Sequence, residues 1–235
     1  MEDEPKQKIN EALVEKRKQQ WEEKLIEMMK PDIYGYILDK EIRETIIALN
    51  LLGFNTTQSD QGNYSDTPFV QFEAKEPKNY YEGEEELKIS VMTKLGILSS
   101  EIDEKSPLFS REKQVEVEEE ARGKLVSIGA KHTQEYEKWR DDTLELANKL
   151  KGLIDHFYLL KPTPKEFVDL HVFVEFPYRA PQYPPYIYDI PHLKVKNNIT
   201  KSLSDEERKK IVIRAQHEIK RFTEFLKESF FSNIT

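Results

Sequence analysis

The stretch from Leu38 to Ala74, LDKEIRETIIALNLLGFNTTQSDQGNYSDTPFVQFEA, sets the architecture of the chain. Leu38, Ile42, Ile46, Leu49 and Leu52 step by four, four, three and three, which places them on one face of a helix at 3.6 residues per turn. Lys40, Arg43, Glu44 and Asn50 fall mostly on the opposite side. Asp39 is positioned as the N-cap, its carboxylate able to accept from the unpaired amides of the first turn. Gly53 supplies the left-handed residue that ends a helix without a Cβ clash. Phe54 to Thr57 reads as a short strand, and Pro68 opens a second. In the second, Val70, Phe72 and Ala74 point one way and Gln71, Glu73 and Lys75 the other. The loop between them, Gln58 to Thr67, is polar, which suits either a functional loop or a solvated connection.

On the N-terminal side, residues up to about 30 form a charged helix with a broken apolar stripe of Ile9, Leu13, Trp21, Leu25 and Met28. Its middle, EKRKQQ, has no apolar residue, so it is expected to project as an appendage or to pack only at its ends. Downstream, KEPKNYYEGEEE is an acidic connection. Leu87, Val91, Leu95 and Leu98 keep helical spacing, although Leu87, Ile89 and Val91 also alternate; length favours the helix. A short helical turn is expected over 99–105. REKQVEVEEEARGKL reads either as a helix with a frayed end or as a loop. From Lys131 to Phe157, the residues Tyr136, Trp139, Thr143, Leu146, Leu150, Leu153 and Phe157 form the seam of a long helix packed against others. EFVDLHVFVEF, residues 166–176, alternates as a strand, and the Pro- and Tyr-rich segment 177–191 follows it. LKVKN is a last short strand. Ser204 with Glu207 forms a capping box that opens a final helix with the stripe Ile211, Ala215, Ile219, Phe222, Leu226 and Phe230.

The expected fold class is therefore α+β: a small antiparallel sheet of about four strands covered by long helices. Residues 1–30 form the charged appendage and 31–235 one domain. A net charge of -8 argues against a nonspecific nucleic-acid or anionic-membrane binder, because phosphate binding requires a basic surface. The absence of cysteine excludes disulfides, thiolate nucleophiles and Cys-ligated zinc. There is no apolar leader and no apolar run long enough to span a bilayer, so the expected location is the cytoplasm.

Leu-Gly-Phe-x-Thr-Thr-x-Ser, then Gly62 and a Pro-aromatic-Val strand, resembles a family of uncharacterised bacterial proteins that read Thr-x-x-Ser-Cys-x-Gly-His at this loop. The tail QHEIKRFTEFLKESFF is similar to the closing helix of that family. Asp60 and Asn63 stand where the family has Cys and His, so the metal or thiolate chemistry implied by that pair is not carried over. A more distant likeness is to the wybutosine-synthesis methyltransferases, matched at Thr56, Thr57, Ser59 and Gly62.

The enzyme-like constellation is Asp60 with Glu73 and Lys75, two carboxylates and a lysine in the arrangement of metal-dependent nucleases. The same residues on a solvated strand face are the plain alternative. Among the five histidines none has metal-binding spacing; His171, beside Asp169 and Glu175, is the candidate general base if it packs near Asp60. Thr57, Ser59, Gly62 and Asn63 are the ligand-contacting candidates on the loop. No glycine-rich phosphate loop is present and no cofactor is called for. Two function classes follow. The first is a non-enzymatic binding or regulatory protein that uses the Ser59–Asn63 loop and the segment 177–191 to contact a protein or small molecule. The second is an enzyme that modifies nucleic acid or nucleotides at the same loop.

Overall fold

The computed structural model describes residues 3–31, 37–62, 67–96, 107–164, 171–175, 190–196 and 203–232. In chain order the elements are α1 (Asp3–Met28), α2 (Lys40–Leu51), β1 (Asn55–Asp60), β2 (Phe69–Glu73), α3 (Glu84–Lys94), α4 (Pro107–Ser127), α5 (Gln134–Leu160), β3 (Val172–Glu175), β4 (His192–Val195) and α6 (Asp205–Ser232). The four strands form one antiparallel sheet in the order β1-β2-β4-β3, which leaves β1 and β3 at its edges. This is the α+β arrangement that the apolar patterns imply. The expected turn at 99–105, strand residues 166–170 and 176, Asn63 and the Pro/Tyr segment as far as residue 189 lie outside the described residues.

Alternation and register divide the sheet into two faces. Val70, Phe72, Leu193, Val195 and Val172 belong to the main core. The helices α2, α5 and α6 supply Ile42, Leu49, Leu150, Phe157, Ile219, Phe222 and Leu226 to the same cluster. Each such side chain taken from water contributes roughly 1.5–3 kcal/mol, so this layer is the principal source of stability. Pairing places Gln58, Gln71, His192 and Glu175 in one row on the opposite face. Thr57 is the extra residue of a bulge in β1, where the register shifts between Thr56 and Gln58.

Local signals act as their chemistry requires, with some exceptions. Helix α2 ends in a Schellman motif: Gly53, at φ 91°, donates to the Asn50 carbonyl, and Phe54 donates to that of Leu49. Asp39 is the N-cap residue, but its carboxylate makes no capping hydrogen bond. Ser204 and Glu207 do form the reciprocal capping box before α6. In α5 the buried line runs through Tyr136, Trp139, Thr143, Ala147, Leu150, Ile154 and Phe157, so Leu146 and Leu153 flank the seam. The charged stretch at 111–125 is helix throughout, with Val117, Ala121 and Leu125 one turn apart and buried. The ambiguous stretch at 87–94 is likewise helix, and Val91 packs with Val117 and Ala121.

Helix α1 contacts α2 and α6. Trp21 and Met28 pack against the main core, and Trp21 meets the rings of Phe230 and Phe231 at centroid distances of 6.4 and 5.7 Å. Within EKRKQQ, where no apolar residue is available, the Arg17 guanidinium lies 5.6 Å from the centre of the Phe230 ring.

Candidate functional site

The residues expected to converge are held apart. In the β1–β2 hairpin, Asp60 pairs with Phe69 and Asn55 pairs with Glu73. Asp60 and Glu73 therefore share a face but sit at opposite ends, four residues or about 13 Å along the strand. His171 precedes β3 on the far edge of the sheet, three strand spacings or about 14 Å from β1. Its ring packs edge-on against Tyr158 at 4.9 Å, and its carbonyl accepts from Lys196. Lys75 lies beyond the end of β2 and is exposed. Among the described residues no three His, Asp or Glu side chains are grouped to hold a metal ion.

The Asp60 loop is engaged in its own structure. Asp60 Oδ1 accepts from the Gly62 amide at 2.6 Å, an Asx turn that uses the carboxylate expected to do chemistry. Gly62 sits at φ 86°, and a Cβ there would lie 2.8 Å from Pro68 Cδ, so the turn admits only glycine. From α6, Gln216 donates to the Gln61 carbonyl at 3.0 Å. Ser59 pairs with Val70 and faces a groove shared with α1 and α2, away from Glu73.

Glu73 has a different setting. It is not on a solvated strand face: only 6% of it is exposed. The Ala74 amide donates to Thr143 Oγ1 of α5 at 3.0 Å, which fixes the end of β2 against that helix. One turn earlier on α5, Trp139 lies on the same helix face and its Nε1–H donates to Glu73 Oε2 at 3.1 Å. Among the described residues Oε1 has no hydrogen-bond partner. Burial, reinforced by the charge of Glu76, pushes the Glu73 carboxyl up to about 7, and the Trp139 bond only partly opposes this.

The chain then turns back through Tyr80 and Tyr81, whose backbone amides donate to Glu84 Oε2 at 2.5 and 3.1 Å. Glu84 opens α3 and is fully buried. Its other oxygen accepts from Arg122 Nε of α4 at 2.7 Å and is paired with Lys88 Nζ at 2.9 Å. Burial raises the Glu84 carboxyl, but Lys88, Arg122 and the backbone amide together outweigh it and hold it below the ordinary carboxylate range. The Arg122 guanidinium lies 4.0 Å from the centre of the Tyr80 ring, and Tyr80 Oη donates to Glu76 at 2.8 Å. Burial, with Glu76 second, pushes the Tyr80 phenol far above its usual value.

These groups enclose an open cleft of about 370 Å³ lined by Thr57, Gln58, Gln71, Glu73, Glu76, Tyr80, Arg122 and Ile190. Of the residues singled out in the sequence, it brings together Thr57, placed here by the bulge, Glu73, and Ile190 from the end of the segment 177–191. Glu76, Tyr80, Arg122, Trp139 and the two glutamines were not anticipated. The usable signal was the apolar spacing of Val117, Ala121 and Leu125, which puts Arg122 beside the buried line of a helix otherwise full of solvated charge. The cleft offers two amide side chains, a hydroxyl, two carboxylates and an ordered phenol, a set suited to hydrogen-bonding a polar molecule. No family model, no curated protein and no solved structure matches this chain.

Proposed function

We propose that the protein is a non-enzymatic receptor for a small polar ligand held in the Glu73 cleft. One observation carries this reading: a carboxylate with 6% exposure keeps an oxygen that no described residue pairs, at the wall of an open recess. That oxygen stays reachable by solvent at the cleft wall, so a ligand donor takes it over from water. Gln58 and Gln71 stand in adjacent register on the same sheet face and add donors and acceptors next to it. The test is a thermal-shift panel of polar small molecules on the wild type and on Glu73→Gln. A ligand of this cleft raises Tm of the wild type by mass action and leaves the variant unmoved. No shift across the panel, or equal shifts in both proteins, overturns the reading.

The position of the Glu73 carboxyl near neutrality supports a second reading, in which it exchanges a proton with a bound substrate such as a nucleotide. Turnover with a pH inflection near 7 that disappears in Glu73→Gln is its expected mark. Turnover that survives the substitution excludes it.

A further inference from the structure

We infer that the ligand of this cleft is a small molecule bearing an amidinium or guanidinium group, paired with Glu73 Oε1. The inference rests on the receptor reading above and adds the charge and shape of the group recognised.

The first ground is the state of Arg122, the one cation of the cleft wall among the described residues. Arg122 is already engaged by Glu84 at 2.7 Å, with Glu118 at 3.7 Å and Glu76 at 4.0 Å around it, and one face of its guanidinium covers Tyr80. These carboxylates largely compensate its charge before any anionic ligand arrives. Among the described residues the charged groups lining the cleft are Glu73, Glu76 and Arg122, with Glu84 and Glu118 beside Arg122 and Lys88 beside Glu84. Once Glu73 is ionised the balance among these groups is negative, which disfavours phosphate or carboxylate ligands and favours a cation.

The second ground is independent of that charge count. Glu73 is more than nine-tenths buried, and Trp139 holds Oε2 while Oε1 has no partner among the described residues. The indole bond fixes the plane and direction of the carboxylate before any ligand arrives, which lowers the ordering cost of binding. With Trp139 occupying one lone pair of Oε2, Oε1 and the second lone pair of Oε2 remain as the two acceptors that a planar N–H fork matches better than a spherical ammonium does. The side-chain carbonyls of Gln58 and Gln71 can accept the remaining N–H groups.

Benzamidine and benzamide, alike in shape but cationic and neutral, provide the test, with adenosine monophosphate as the anionic probe. Trp139 is one of two tryptophans, so its indole N–H resonance in the full chain reports directly on Glu73. We expect benzamidine to shift that resonance and to bind at least about tenfold more tightly than benzamide. Glu73→Gln, which keeps an acceptor for Trp139, abolishes the difference, and Glu76→Gln lowers it a few-fold. Benzamidine also binds more tightly as pH rises from 6 to 8, because the cation requires the ionised carboxylate. His192, on the same sheet surface and with its imidazole pushed below its ordinary value by burial, lies one strand away beside Lys194 and Glu175, so His192→Gln leaves the pH dependence in place. Should Glu73→Gln fail to fold, the wild-type pH dependence and the Glu76→Gln variant decide the matter. Benzamide or the nucleotide binding as well as benzamidine overturns the cationic inference while the receptor reading stands. No probe moving the Trp139 resonance overturns both.

Discussion

Glu218 and Glu73 are both withdrawn from solvent, at 1% and 6% exposure, yet the fold treats them differently. Glu218 sits on α6 at the centre of a closed circuit. Tyr158 Oη donates to Oε1 at 2.9 Å and Arg221 Nη1 donates to Oε2 at 2.6 Å. Tyr158 also accepts the Val172 amide of β3 at 2.7 Å, and Arg221 continues to the carbonyls of Lys161 and Pro162. Every part of that carboxylate joins α5, α6 and β3. Glu84 is satisfied in the same way by two amides, an arginine and a lysine. Glu73 has one indole bond and an open side. The difference is the one between a buried charge used as a clamp and a buried acid kept available.

That contrast can be broken experimentally, with the largest effect expected at a clamp. Glu84→Ala strands the Arg122 guanidinium and two backbone amides, at a cost of about 4 kcal/mol by analogy with broken buried pairs. Denaturant titration at pH 7 reads this directly; a loss below 1 kcal/mol removes Glu84 from the clamp class. Because its folded carboxyl lies below the ordinary range, the stability it gives is present above about pH 4.5 and is lost as pH falls through the depressed value. Glu218→Ala is expected to cost about 3 kcal/mol, somewhat less because Arg221 keeps two carbonyl acceptors and some solvent.

Glu73 reverses the sign. Its folded carboxyl titrates near 7 against 4.5 for the free group, so the native state holds the extra proton between those values. Stability from this group is fully present below about pH 4.5 and declines as pH rises to 7. Glu73→Gln should thus flatten the pH profile and raise stability at pH 8 by about 2 kcal/mol, after allowance for solvent reaching the cleft. A variant less stable than wild type at pH 8 would mean that Glu73 is a clamp after all. The smallest effect is expected at Thr143→Val, which leaves the Ala74 amide unpaired for about 1–2 kcal/mol and loosens the support of Glu73. Hydrogen exchange at Ala74 should rise in that variant before exchange in the core does.

Much of the scaffold was readable because it depends on near-neighbour rules. The four-three steps of Leu38 to Leu52 gave α2 and its buried face, Gly53 marked the Schellman stop, and Ser204 with Glu207 marked the start of α6. The seam of α5 was read one position aside at Leu146 and Leu153, because Ala147 is small enough to carry the close approach while leucine signals more strongly. The cleft was not readable for a different reason. Alternation correctly placed Glu73 opposite Phe72, and in a chain one-third charged such a glutamate reads as solvated. What buries it is Trp139, 66 residues downstream, together with Tyr80 on the returning chain. No local spacing carries that information. The Asp60 loop shows the converse: its composition resembled a site, but the Asp60 carboxylate closes an Asx turn and Gly62 makes a glycine-only bend.

The hydroxyls of Thr45 and Thr223, 2.7 Å apart and buried between α2 and α6, span a separation of 178 residues. Helix α6 also delivers Phe222 and Leu226 to the apolar layer that α2 and the sheet begin. A ribosome that has made everything through β4 therefore holds a sheet whose inner face lacks one wall, and only after α6 clears the exit tunnel can that wall be built. During the interval the exposed Val70, Phe72 and Leu193 are the surface on which a chaperone would be expected to act, since non-local closure is slower than the closure of local contacts.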